Sequence, residues 1–207
     1  MSIITKIEEQ KNKKRVNIFV DGAFFCGLGK ETAVVFALKN GKEIDENTLK
    51  EAIFESEVKS AFEKASEYLG NRMYAKKELF DKLLKKNYEK SVIEKAILKL
   101  EEYKYVDDEL FAKQFIANNP KYSKKVLDGK LRQRGVNADI ITSLLDYVDD
   151  DAEFELCKKQ AEKYAKNKDL SDKKNVEKMI ASLVRKGFSF DMVKKSIKAL
   201  DFDEDFD

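Results

Sequence analysis

The chain has 207 residues, 43% of them apolar and 39% charged, with one proline and eight glycines. That is enough apolar material for a packed core, and so little Pro and Gly favours long helices over a turn-rich β architecture. Histidine is absent and 41 basic residues nearly balance 39 acidic ones, which removes the commonest general base, the usual activator of a Ser or Cys nucleophile and the commonest zinc ligand.

An enzyme built from this sequence would work with carboxylates, Lys or Tyr alone, and neither a cofactor nor a metal site is expected. Cys26 and Cys157 are lone cysteines without CxxC spacing, which suits a reducing compartment. There is no apolar run of about 18 residues, and the N-terminal "MSIITKIEEQKNKKR" lacks the basic-then-apolar order of a signal peptide. The expectation is a cytoplasmic protein with no membrane partner.

From the N-terminus, Ile3 to Glu9 reads as a strand, followed by the basic turn Lys11 to Arg15. Val16, Ile18 and Val20 then alternate with polar or exposed positions, and Asp21-Gly22 supplies a two-residue hairpin turn into Ala23 to Leu28. "GLGKET", Gly27 to Thr32, is not a Walker loop: the first Gly is misplaced and Glu31 replaces the hydroxyl that would hold magnesium. From about Lys30 the spacing turns helical, with Val34, Val35 and Leu38 on one stripe and Asn40-Gly41 as its stop.

The remainder repeats. "KELFDKLLKKNYEKSVIEKAILKL", "KVLDGKLRQRGVNADIITSLLDYV" and "EKMIASLVRKGFSFDMVKKSIKAL" align so that apolar positions coincide: Leu79, Leu127 and Met179; Leu83, Leu131 and Leu183; Ile93, Ile141 and Val193; Ile97, Leu145 and Ile197. A repeat of roughly 45 to 50 residues signals a repeat architecture. Asn87, Gly135 and Gly187 fall at equivalent points, where a left-handed residue would close one helix before the next. A preceding helix completes each copy: Glu57 to Leu69, Asp108 to Ala117 and Ala152 to Lys166. The predicted fold is mainly α, an elongated array of three tandem three-helix repeats after a small N-terminal β-hairpin or β-sheet with a following helix. The boundaries are 1–55 for the N-terminal region, 56–104, 105–148 and 149–200 for the repeats, and 201–207 for an acidic tail.

Two acidic pairs, Asp107-Asp108 and Asp149-Asp150, fall where one copy gives way to the next. Asp at a helix start accepts hydrogen bonds from free N–H groups and suits the positive end of the dipole. They read as helix caps; a paired-carboxylate site would need further ligands that the surrounding sequence does not offer. Tyr68, Phe80, Tyr88, Phe111 and Phe115 sit at helical spacing and read as core. The tail "DFDEDFD" has two readings, a solubilising end or an electrostatic mimic that competes with nucleic acid, and the first is favoured. Positive charge is segregated: "KYSKKVLDGKLRQRG", Lys121 to Gly135, carries six basic residues against Asp128 alone. Such a pattern fits an anionic polymer or an acidic protein groove, although Lys-rich helix faces are also ordinary solvated surface.

At these residues the chain resembles the RecX family, regulatory proteins of the bacterial RecA recombinase. "YLGNRMYAKKEL", Tyr68 to Leu79, is similar to the family's first-repeat motif, and "YVDDELFAKQF", Tyr105 to Phe115, to its Tyr-Leu-Asp-Asp stretch. "LRQRGV" and "LVRKGF" resemble its repeated Leu, basic, Lys-Gly-hydrophobic signature. Gly70, Ala75 and Asn87 depart from the family pattern, in which Ser, a hydroxyl residue and Gly are usual.

The resemblance implies a non-enzymatic modulator that binds RecA filaments on DNA and mainly inhibits ATP hydrolysis and strand exchange, thereby regulating recombination and repair. Its partners would be the RecA filament and single- or double-stranded DNA, met directly or through the filament, with the protein a monomer. The candidate contact surface is Arg72, Lys76 and Lys77 in the first repeat; Lys124, Lys125, Lys130, Arg132 and Arg134 in the second; and Lys173, Lys174, Arg185 and Lys186 in the third. The alternatives are a sequence-nonspecific nucleic-acid-binding module and a helical scaffold for another protein.

Overall fold

The computed structural model describes residues 2–166 and 168–201, and the chain divides into two compact units, Met1–Val106 and Asp107–Asp207. Apart from the backbone of Asp201, the acidic tail lies outside the described residues.

The first unit opens with a four-stranded antiparallel sheet in the order β3-β2-β1-β4, built from β1 (Ser2–Glu9), β2 (Arg15–Val20), β3 (Ala23–Gly29) and the two-residue β4 (Glu43–Ile44). Asp21 and Gly22 both adopt positive φ, 50° and 85°, the geometry that lets a two-residue turn follow the twist of its strands. Val16, Ile18 and Val20 alternate inward and pack with Ile4 and Leu28.

The helical stripe expected after Lys30 is not the buried one. Helix α1 (Lys30–Val35) spans only six residues and buries Thr32 and Ala33, leaving Val34 and Val35 at 73% and 79% exposure. It stops before Asn40-Gly41, because Ala37 turns to φ 48° and Leu38 drops into the sheet's core. Gly41 instead serves the sheet, its N–H donating to the Ile4 carbonyl at 2.7 Å.

The helix expected to begin at Glu57 begins at Glu46. Helix α2 (Glu46–Leu69) has 24 residues, about 36 Å of helix, and is capped by Asp45, whose carboxylate accepts from the Thr48 N–H at 2.9 Å. Its first half gives Leu49 and Ala52 to the sheet's core. Its second half gives Val58, Ala61 and Ala65 to a bundle with α3 (Lys76–Leu84) and α4 (Lys90–Glu102). One rod therefore serves two cores, and its shift from one buried face to another obscures its start in the sequence.

The second unit contains α5 (Asp108–Ala117), α6 (Lys124–Gln133), α7 (Ala138–Asp146), α8 (Asp150–Ala165), α9 (Lys173–Arg185) and α10 (Phe190–Asp201). Phe111, Ala112, Leu127, Leu131, Ile141 and Leu145 are buried on α5 to α7, and Cys157, Ala161, Met179, Leu183 and Val193 form the core of α8 to α10. Of the twelve positions aligned by the repeat, eleven are buried, and Ile197 packs partly buried against its core.

The same stop recurs in each copy. Asn87, Gly135 and Gly187 have φ of 64°, 83° and 91°, and the following residues close the same bond: Tyr88 N–H to Leu83 O, Val136 to Leu131 and Phe188 to Leu183, at 3.4, 3.2 and 3.3 Å. A left-handed residue after the last helical turn lets the chain satisfy carbonyls that would otherwise be free.

Candidate partner-binding surface

The paired aspartates have local roles. Asp107 caps α5, accepting from the N–H groups of Glu109 and Leu110 at 2.8 and 3.0 Å, and Asp149 caps α8, accepting from the Asp151 N–H at 3.0 Å. Asp108 and Asp150, expected as caps too, are instead the first residues of their helices: Asp108 is buried at 7% exposure, whereas exposed Asp150 meets the Lys124 ammonium at 2.5 Å. No group of three His, Cys, Asp or Glu among the described residues is arranged to hold a metal ion.

The structure gives six of the twelve candidate basic residues a common address that their spacing alone did not display. Lys76-Lys77, Lys124-Lys125 and Lys173-Lys174 are the first two residues of α3, α6 and α9, the second helix of each three-helix copy. A cation there faces the positive end of the helix dipole and weakens the helix, while acidic residues would strengthen it. In α3 the cost is offset, since Lys76 reaches Glu101 at 2.9 Å and Lys77 reaches Asp81 at 3.1 Å. In α6 Lys124 is offset twice: its ammonium meets Asp150, and its backbone N–H donates to the Glu153 carboxylate at 2.8 Å. Lys125, Lys173 and Lys174 are exposed, and among the described residues none of their ammonium groups has a hydrogen-bonded carboxylate. These three cations therefore stand against the local preference of the helix dipole.

The cations at the opposite ends need less explanation. Lys130 and Arg132 in the last turn of α6 and Arg185 in that of α9 suit the negative end of the dipole. Arg132 Nε holds both Asp128 oxygens at 2.8 and 2.9 Å, Lys130 lies 4.9 Å from the centre of the Tyr122 ring, and Arg134 lies 4.6 Å from that of Phe115. Arg72 stacks 3.7 Å over the Tyr74 ring and donates to the Met73 carbonyl at 2.9 Å.

Two of the candidate sets come together. The α9–α10 turn seats on the start of α6, where the buried Ser123 hydroxyl donates to the Lys186 carbonyl at 2.8 Å. A methyl group on Gly187 would lie 3.3 Å from Lys125 Cβ. Lys125 thus adjoins the turn at Lys186-Gly187, and the Lys186 ammonium is held by Gln160 at 2.6 Å. Lys173 and Lys174 stand at the other end of α9, about 18 Å along its axis. Ser123, Glu153 and Gln160, which organise this junction, were not singled out in the sequence: Ser before Lys-Lys signals a cap, but nothing local signals a bond spanning 63 residues.

This arrangement of sheet and three-helix copies has relatives. Residues 2–45 match the regulatory protein RecX N-terminal domain, 61–100 the RecX first three-helix domain and 151–197 the RecX third three-helix domain. The chain is 37% identical over 210 residues to regulatory protein RecX of Bacillus licheniformis, covering 99% of this chain and 80% of that protein. The chain belongs to the RecX family. Regulatory protein RecX of Clostridioides difficile is 36% identical over 214 residues, covering 99% of both chains. The fold agrees with a crystal structure of regulatory protein RecX at a TM-score of 0.71 and 24% identity, covering 94% of this chain and all of that one. RecX from Lactobacillus salivarius matches at a TM-score of 0.63 and 24% identity, over 70% of this chain and 97% of that structure. Arg72, Lys76 and Lys77 lie inside the segment that matches the first RecX helical domain, and Lys173, Lys174, Arg185 and Lys186 inside the third.

No described helix is long and apolar enough to cross a membrane. Burial pushes the Cys26 thiol up to about 11, against the opposing pull of Arg15, and burial likewise raises Cys157. Neither thiol has the electropositive, depressed-pKa setting of a reactive cysteine.

Proposed function

We propose that this chain is a non-catalytic, monomeric cytoplasmic regulator that binds RecA filaments on DNA and chiefly inhibits their ATP hydrolysis and strand exchange. The observation that carries the contact surface is the recurrence of Lys-Lys at the start of the second helix in all three copies. These helices present cations against their own dipoles, and Lys125 adjoins the turn at Lys186-Gly187. Repeated weak contacts of this kind add into useful affinity when the partner also repeats, because each engaged copy raises the effective concentration of the next. A nucleoprotein filament is such a partner, acidic along its DNA and periodic along its protein.

The test is DNA-dependent ATP hydrolysis by RecA on single-stranded DNA with this protein titrated in, and binding to bare DNA measured at the same salt. Inhibition well below the concentration that coats bare DNA supports filament capture. Inhibition only at saturation of bare DNA replaces this reading with a sequence-nonspecific nucleic-acid module, and no effect on either replaces it with a helical scaffold for another protein.

A further inference from the structure

The basic turn between β1 and β2 is left unused by the surface described above, and it overhangs a recess. The recess measures about 350 Å³ and lies between that turn, the start of α1 and the middle of α2. Its margin carries Lys13, Lys14, Arg15, Lys30 and Lys59 against Glu31 and Glu63, and Thr32 and Ser56, 7% and 6% exposed, line it as well.

Backbone bonds fix this geometry. The turn is closed by the Arg15 N–H to Asn12 O at 2.9 Å, and the Lys30 N–H donates to Lys14 O at 2.8 Å, which locks the turn to the start of α1. The Gly29 N–H donates to Ser56 Oγ at 2.7 Å and ties the same corner to α2. Two of the cations are already neutralised, Lys30 by Glu9 at 2.5 Å and Lys59 by Glu31. Arg15 donates to the Gly27 carbonyl at 3.0 Å, a neutral partner that leaves its charge uncompensated. Lys13 and Lys14 are exposed, and no described carboxylate pairs with either. Three consecutive cations without an ion-pair partner therefore stand at the margin of a concave recess lined by hydroxyls, with Glu63 as the remaining acidic group there.

We propose that this recess binds phosphate, and that its ligand is a backbone phosphate of a nucleic-acid strand. The cradle combines what phosphate recognition uses: fixed positive charge, an Arg beside two Lys, and hydroxyl groups at the base. Lys11 extends the run beyond the recess, which a lone anion would not need and a strand of successive phosphates would use. This contact requires no recombinase, so it stands or falls separately from the filament reading above.

The experiment is fluorescence anisotropy of a labelled oligothymidylate with the full chain, across a salt series. The K13E/K14E variant is compared with K85E/K86E, an equal charge change on exposed residues after α3 in the same unit. Both pairs are exposed, and circular dichroism verifies folding. The site predicts at least tenfold weaker binding for K13E/K14E, with the slope of log affinity against log salt reduced by about 1.4, the value for two lost single-strand phosphates. Equal weakening in the two variants would show that net charge alone matters and would overturn the site. Inorganic phosphate or polyglutamate displacing the oligonucleotide as effectively as unlabelled oligothymidylate would overturn the nucleic-acid assignment in favour of a small anion or an acidic protein. RecA ATPase inhibition measured on the same variants reports on the filament reading alone.

Discussion

The Ser123 hydroxyl donates to the Lys186 carbonyl at 2.8 Å, joining the start of α6 to the turn after α9. Ser123 also caps α6, accepting from the Val126 N–H at 3.4 Å, and it is 1% exposed. Ser123→Ala removes both interactions and leaves the Lys186 carbonyl without that donor in a part-buried site. The expected cost is about 2 kcal/mol of unfolding free energy, read by urea denaturation.

Gly187, the next residue along, has no room for a side chain. An added Cβ would stand 2.3 Å from Ser123 Oγ and 3.0 Å from Val126 Cγ2, at a φ of 91°. Gly187→Ala is therefore expected to cost about 2 to 4 kcal/mol, adding left-handed strain to the displacement of the Ser123 bond. Asn87→Ala, at the equivalent stop of the first copy, keeps a Cβ that is already in left-handed geometry and loses only the polar side chain that eases it, so it should cost less, about 1 kcal/mol or below. Urea denaturation of the two variants side by side checks both values.

Asp107→Ala removes two hydrogen bonds to the first turn of α5 and should cost about 1 kcal/mol, while inhibition of RecA ATPase by the folded protein is retained. Complete loss of inhibition in a fully folded variant would give Asp107 a role beyond capping.

Asp45 at the head of α2 offers a pH test. Hydrogen bonds from the Thr48 side chain and backbone hold its carboxyl below the usual value of 3.8. A carboxyl depressed in the folded state binds fewer protons there than in the unfolded chain, so its stabilisation is present above about pH 4 and is lost as pH falls through the folded value. Thermal melts of wild type and Asp45→Ala should differ at pH 7 and converge as pH is lowered below 4. A gap unchanged at low pH would assign the effect to the uncharged cap geometry.

Lys125 and the turn that follows Arg185 supply the functional test. K125E/R185E should raise the concentration for half-inhibition of RecA ATPase at least tenfold at low salt, with the difference shrinking as salt screens the charges. K85E/K86E should change it by less than threefold. Equal effects would remove these two residues from the contact surface.

The helical periodicity, the three left-handed stops and the caps Asp107 and Asp149 were legible because each is a local matter. Whether a residue closes a helix depends on its own backbone freedom and on groups within a few positions along the chain. The sheet's alternation and its hairpin turn were legible for the same reason.

What the sequence alone did not determine was set by distant packing. Val34 and Val35 look like a buried stripe, yet a six-residue helix resting on the sheet by Thr32 and Ala33 turns them outward. The start of α2 was hidden because its two halves serve different cores. The approach of Lys125 to the Lys186-Gly187 turn was invisible because a hydroxyl reaches a carbonyl 63 residues away. Local hydrogen bonding is encoded where it occurs, whereas the exposure of an apolar residue and the company of a charge depend on which surfaces meet, and that is decided only when the whole chain has packed.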